Sequence, residues 1–161
     1  MAILKPPYQY VIDTSALIDL KDQYPVKVFP GVWERFNEMC ADEKIIAPRE
    51  VLREIKKGDD DLTLWASDYE HIFLEPCEEE FEILQKVLAS YTNKAIEKYS
   101  TGLWADPLVI SCAKHYGLPI IQQESNDAKQ FKIPSVANIH AVSCIRLIKF
   151  FEEESWSFTS Q

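Results

Sequence analysis

Residues 10–17 read YVIDTSAL. An apolar run with the look of a buried strand ends on an acid, and two hydroxyl residues and a helical pattern follow at once. A strand that passes directly into a helix is the opening of a βα unit, and the chain repeats the move. "KIIAP" (44–48) runs into "PREVLREIKKG" (48–58), and the apolar helix of 107–116 stops at Gly117 and gives way to "LPIIQQ" (118–123). Strands alternating with helices predict an α/β fold with a central, mostly parallel sheet of four or five strands and helices on both faces.

The remaining elements follow from periodicity and punctuation. Tyr8–Ile12 is the first predicted strand and Ser15–Tyr24 the first helix. Val32, Trp33, Phe36, Met39 and Cys40 recur at helical spacing over 31–43. Pro48 suits a helix start and Gly58 a stop. "DDDLTLWASDY" (59–69) predicts a further helix with acids at its positive end, and "IFLEP" (72–76) a weaker strand. "EEEFEILQKVLASY" (78–91) is amphipathic, with Phe81, Leu84, Val87 and Leu88 on one face. Residues 92–103 read as a loop or frayed helix. A loop continues to about Pro134, and a last helix over 141–153 places Cys144, Ile145, Ile148 and Phe151 on one face.

The chain has 161 residues, of which 47% are apolar and 27% charged. That is the length and balance of one globular domain, 1–161. The start "MAILKPPYQY" is too short an apolar run for a leader and is broken by Pro6 and Pro7. No stretch approaches the ~20 apolar residues of a membrane span, so a cytoplasmic protein is expected. The net charge of −9 is unevenly spread: residues 1–91 hold 10 basic and 19 acidic side chains, residues 92–150 hold 7 basic and 4 acidic. The four cysteines and three histidines are scattered, with no C-x-x-C pair, and read as reduced packing thiols and isolated imidazoles.

Asp13 ends the first strand, where open α/β sheets place their chemistry, although Asp, Thr and Ser also cap helices well. Asp106 in "ADPLVI" looks like an ordinary cap before a first-turn proline. Glu54 lies at the edge of the Val51, Leu52 and Ile55 stripe and could simply pair with Arg53 or Lys57. Glu124 in "PIIQQESND" follows a strand, with Asp127 as its competitor. Each acid has a plain structural reading. Together they are a self-repelling set that persists when a divalent cation neutralises it. Oxygen ligands without His or Cys suit Mg²⁺ or Mn²⁺, and such sites perform phosphodiester chemistry with metal-activated water.

The order "VIDTSALIDL", then "APREVLREIKKG", then "ADPLVISCAKHYGLPIIQQE" resembles the PIN-domain nucleases, and among them the VapC-type toxin group. The likeness runs from about Tyr8 to Phe151. It implies a three-layer α/β/α fold and a metal-dependent ribonuclease, the toxin of a toxin–antitoxin pair. By this resemblance Asp13, Glu54, Asp106 and Glu124 bind Mg²⁺ or Mn²⁺, with Thr14 or Ser15 assisting through a hydroxyl. Expected partners are RNA, a cognate antitoxin and a second copy of the chain. The chain departs from the family where Gln122 replaces a hydroxyl residue and Glu124 an aspartate. The insert "KKGDDDLTLWASDYEHIFLEP" suggests a separate PIN-like branch, for which a non-catalytic RNA- or protein-binding domain is the alternative.

Other features are read plainly. Asp59–Asp61 is a solvated helix start, and Trp33, Trp65 and Trp156 pack; Trp104, two residues before Asp106, could border the site. Lys94, Lys98, Lys129, Lys132 and Arg146 are candidates for phosphate contacts. A haloacid-dehalogenase-type phosphatase would need an acid where Ser15 stands, and a receiver domain needs an acidic pair that is absent.

Overall fold

The computed structural model describes residues 5–125 and 127–158. The start of the apolar run weighed as a leader and both ends of the expected 1–161 domain lie outside the described residues.

Five strands form one sheet: β1 (Tyr10–Ile12), β2 (Ile45–Pro48), β3 (Phe73–Leu74), β4 (Ile120–Ile121) and β5 (Cys144–Ile145). Their order is β3-β2-β1-β4-β5, and every pairing is parallel. Tyr10 pairs with Ile45 and Val11 with Ile46 on one side of β1; Val11 pairs with Ile120 and Ile12 with Ile121 on the other. All residues of β1, β2 and β4 are buried. Helices cover both faces of a parallel sheet, so its strands are continuously apolar instead of alternating.

The helices are α1 (Thr14–Gln23), α2 (Pro30–Ala41), α3 (Arg49–Gly58), α4 (Asp60–Ser67), α5 (Glu78–Leu88), α6 (Asn93–Tyr99), α7 (Asp106–Tyr116), α8 (Ile133–Ile139) and α9 (Leu147–Glu153). Right-handed crossovers fix their faces. The chain moves outward from β1 through β2 to β3, then back across to β4 and β5, so α1–α4 and α5–α8 fall on opposite faces. Packing agrees: α3 meets α1, α4, β2 and β3, whereas α7 meets β1, β2 and β4 and carries α5 and α8. The result is the expected three-layer α/β/α arrangement.

Three stretches depart from the sequence reading. The predicted helix over 141–153 is β5 followed by α9. Cys144 and Ile145 belong to the strand, Ile148 is 55% exposed, and Leu147, Phe150 and Phe151 form the buried face. The apolar spacing imitated one long helix because β5 is only two residues long and no Gly or Pro separates it from α9. The loop expected to reach Pro134 ends at α8, and 92–103 contains the ordered helix α6, capped by the Thr92 side chain on Ala95 N–H at 3.1 Å. In α5 the packed face is Glu80, Ile83, Leu84 and Val87, and Phe81 points outward.

Asp59 behaves as read. Its Oδ1 accepts from Leu62 N–H at 2.9 Å as the cap of α4, and Asp60 and Asp61 are exposed. Trp33 and Trp65 donate their indole N–H groups to Tyr24 O and Asn37 Oδ1, and Trp156 stacks on Phe151.

Candidate functional site

The chain leaves β1 toward β2 on one side and later returns to β4 on the other. Connections diverge at that point, so a crevice opens beyond the carboxyl ends of β1 and β4, the usual location of sites in open α/β sheets. Asp13 and Glu124 follow these two strands. Asp106 begins α7, which leads into β4, and Glu54 projects from α3, which follows the neighbouring β2.

Asp13 resolves the ambiguity of its sequence position. It is 2% exposed and caps α1. Only Oδ2 does the capping, accepting from Ser15 N–H at 3.1 Å and Ser15 Oγ–H at 2.7 Å. Oδ1 is buried without a hydrogen-bond partner. Helix capping therefore explains one oxygen and leaves the other available.

Glu54 is not a solvated acid paired along its helix. Arg53 pairs instead with Glu50 at 2.8 Å and Glu75 at 3.3 Å. The Glu54 carboxylate accepts from Thr14 Oγ–H at 2.6 Å and from Ala105 N–H at 3.4 Å, which ties α3 to the starts of α1 and α7. Asp106 is not the cap it resembled: Ala105 holds that position, and no side-chain cap bond is made. Asp106 is the first helical residue, where the helix dipole favours a carboxylate.

Glu124 is held on three sides. Its N–H donates to Gln122 Oε1 at 2.7 Å, its Oε2 accepts from Ile133 N–H at 2.9 Å, and its carbonyl accepts from Arg146 at 3.2 Å. Asp127 makes a local turn with Lys129 N–H at 3.0 Å. Glu124 lines the same cleft as Glu54 and Asp106.

Over residues 10–158 the chain matches the family described as Domain of unknown function (DUF4411). The chain belongs to that family. No curated protein matches it. The matched span begins at the first residue of β1 and takes in all five strands and all four acids.

In this DUF4411 domain burial and neighbouring carboxylates raise the proton affinity of Asp13, Glu54 and Asp106. Burial pushes Asp13 up to about 7, with the charges of Glu124 and Glu54 adding and the Ser15 bonds opposing. Burial pushes Asp106 up to about 9, reinforced by Asp13, Glu124 and Glu54 and partly relieved by Lys132. Burial also raises Glu54, against the bonds from Thr14 and Ala105. An oxygen-only donor set with one orphaned buried oxygen fits a hard divalent cation. Among the described residues the acids do not bring three donor atoms within 4.8 Å of one another. Oxygens that share one octahedral Mg²⁺, at Mg–O distances of about 2.1 Å, lie at most about 4.2 Å apart, so direct ligation by three of the acids requires their side chains to close on the ion.

A cleft of about 520 Å³ opens over Glu54, Asp106 and Glu124. Lys57, Lys98 and Lys132 line its walls, with Tyr99 and Trp104 stacked at 5.6 Å between ring centroids. A larger cavity of about 840 Å³ lies between α8 and β5 and contains none of the four acids. Of the five basic residues named from sequence, Lys98 and Lys132 line the cleft, Arg146 braces Glu124, and Lys94 and Lys129 border a smaller neighbouring hollow.

Sequence reading did not find Lys57, Gln123 or Tyr91. Gln123 connects three elements: its N–H donates to Ser15 Oγ at 3.0 Å, its Nε2 to Asp19 at 3.2 Å, and its Oε1 accepts from Leu147 N–H at 2.9 Å. Tyr91 is buried with an unpartnered hydroxyl and feels the charges of Asp106 and Glu124. Neither residue is marked in the sequence, because the partners are distant in the chain.

Proposed function

We propose that this domain is a metal-dependent endoribonuclease that hydrolyses RNA phosphodiesters with water as the nucleophile. Asp13, Glu54, Asp106 and Glu124 would hold Mg²⁺ or Mn²⁺. The observation that carries this reading is the buried, unpartnered Oδ1 of Asp13 at the switch point, facing the charges of Glu124 and Glu54. A carboxylate oxygen left without a donor in the interior costs free energy, and a cation is the partner that offsets it. The resemblance to PIN-domain nucleases supports the same assignment.

When bound, the cation supplies an activated water and neutralises charge on the phosphate. The chain's own groups prepare the site. Ser15 fixes the Asp13 carboxylate by two bonds, and Thr14 fixes Glu54. Lys57, Lys98 and Lys132 flank the acids and offer cations to the phosphates on either side of the scissile one. Trp104 and Tyr99 offer faces on which bases can stack. The basic side chains are few, so the overall charge of −9 does not prevent local attraction of RNA.

The resemblance extends the proposal to a cytoplasmic toxin, active as a homodimer, whose antitoxin would place a basic side chain among the carboxylates. The deciding experiment is cleavage of a total-RNA pool by wild type, Asp13→Asn and Asp106→Asn with Mn²⁺ or Mg²⁺. Cutting by wild type alone, abolished by EDTA, is expected. Equal cutting by all three proteins would overturn the site. No cutting by folded wild type, with RNA still retained in a gel shift, would favour the non-catalytic binding domain.

A further inference from the structure

We infer that Cys77, Glu80 and His115 form a second metal site, suited to Zn²⁺, at the opposite end of α7 from the acidic cleft. Sequence reading took the cysteines and histidines as isolated, but the packing of α5 on α7 brings these residues together. Cys77 stands at the cap of α5, Glu80 lies in its first turn, and His115 is in the last turn of α7. Cys77 Sγ lies 3.4 Å from His115 Nε2, and one donor atom from each of the three residues lies within 4.8 Å of the other two. In a tetrahedral zinc site, Zn–S near 2.3 Å and Zn–N near 2.05 Å separate sulfur and nitrogen by about 3.5 Å. The observed 3.4 Å is compatible with two ligands sharing one ion, and equally with a thiol–imidazole hydrogen bond.

Simpler accounts leave part of the cluster unexplained. A thiol–imidazole hydrogen bond would satisfy Cys77 and His115. It would leave Glu80, only 3% exposed, with no Lys or Arg ion pair among the described residues, held by a long bond from Cys77 N–H at 3.5 Å and by the Cys77 thiol and His115 beside it. Capping accounts for the nearness of Glu80 to Cys77, yet Ser, Thr, Asp and Asn are the residues that cap well. Thiolate, imidazole and carboxylate together are the ligand types zinc prefers. Glu79 carries its carboxylate beside the same thiol.

The site is separate from the acidic one. Asp106 and His115 are nine residues apart on one helix, a rise of about 14 Å. An ion held here would clamp the start of α5 to the end of α7, independently of any nuclease activity.

The test is titration of metal-free protein with Co²⁺, read by absorbance. One equivalent should bring a thiolate-to-cobalt charge-transfer band and tetrahedral ligand-field bands, both removed by added Zn²⁺. The charge-transfer band should vanish in Cys77→Ser. His115→Ala should weaken binding by more than the roughly 10–100-fold typical of outer-shell changes. Cys144→Ser should leave the spectrum unchanged. Absence of the band in wild type, its survival in Cys77→Ser, or its loss in Cys144→Ser would overturn the assignment. Circular dichroism of each variant separates lost ligands from lost fold, and the wild-type spectrum decides even if a variant does not fold.

Discussion

Asp13 caps α1 with one oxygen and leaves the other unpartnered, and substitutions can separate the cap from the proposed metal role. Asn caps helices as well as Asp, so Asp13→Asn should keep the α1 cap while removing the charge; metal-dependent cleavage should vanish with no loss of stability in urea. Asp13→Ala should lose cleavage and also about 1 kcal/mol of stability, because Ser15 N–H loses its acceptor. Tyr91 gives the opposite expectation. Its hydroxyl is buried and unpartnered, so Tyr91→Phe should leave the unfolding free energy measured in urea unchanged or raise it by up to about 1 kcal/mol. A loss of cleavage in a stable Tyr91→Phe protein would show that the hydroxyl serves the reaction. Asp13, Asp106 and Glu124 stood out in the sequence because each follows a strand or begins a helix, whereas Glu54, inside α3, was marked only by lying one helix after the second strand. The bonds that fix them were not legible. Thr14 to Glu54 and Gln123 to Leu147 join residues far apart in the chain, and no local pattern encodes such pairs.

Among the elements, α7 unites most of the structure. It is apolar almost throughout, with Val109, Ile110, Cys112 and Ala113 buried, and it ends on Gly117 at φ 68°. That left-handed conformation suits glycine and costs other residues roughly 1–2 kcal/mol. Gly117→Ala should lower the melting temperature by several degrees, while a Cβ there meets no neighbour within 4 Å, so the loss would report backbone strain alone. Elements with strong punctuation were legible: Pro107 and Gly117 bracket α7, and Pro48 and Gly58 bracket α3. Elements without it were not. The turn between α8 and β5 uses Ala141 at φ 57°, a conformation that alanine does not advertise. The two-residue strands β3 and β4 were legible because Pro76, Gly117 and Pro119 set them off, whereas no Gly or Pro separates β5 from α9, so β5 was absorbed into the helix pattern after it.

On the scale of the whole molecule, the clustered acids set how stability varies with pH. In metal-free protein, Asp13 and Asp106 hold protons in the folded state up to about 7 and about 9. The unfolded chain releases them near the ordinary carboxylate value of about 4. The folded state therefore binds more protons across that window, and stability falls as pH rises through it. With EDTA present, the melting temperature should decline from about pH 5 to about pH 9, and less so in Asp106→Asn. Mn²⁺ should restore wild-type stability at the alkaline end and leave Asp106→Asn largely unchanged. A wild-type profile parallel to that of the variant would remove the electrostatic basis of the site.

The sheet order also has a consequence for synthesis. β1 leaves the ribosome first yet ends up at the centre of the sheet, with β2 on one edge and β4 on the other. A nascent chain can pair β1 with β2 early, but the second edge of β1, carrying Val11 and Ile12, stays open until residue 121 has emerged. Until then it is an unprotected apolar template of the kind that invites misassembly. The same delay keeps Asp13 and Glu54 apart from Asp106 and Glu124. A product that stops before Glu124 lacks part of the acidic cleft.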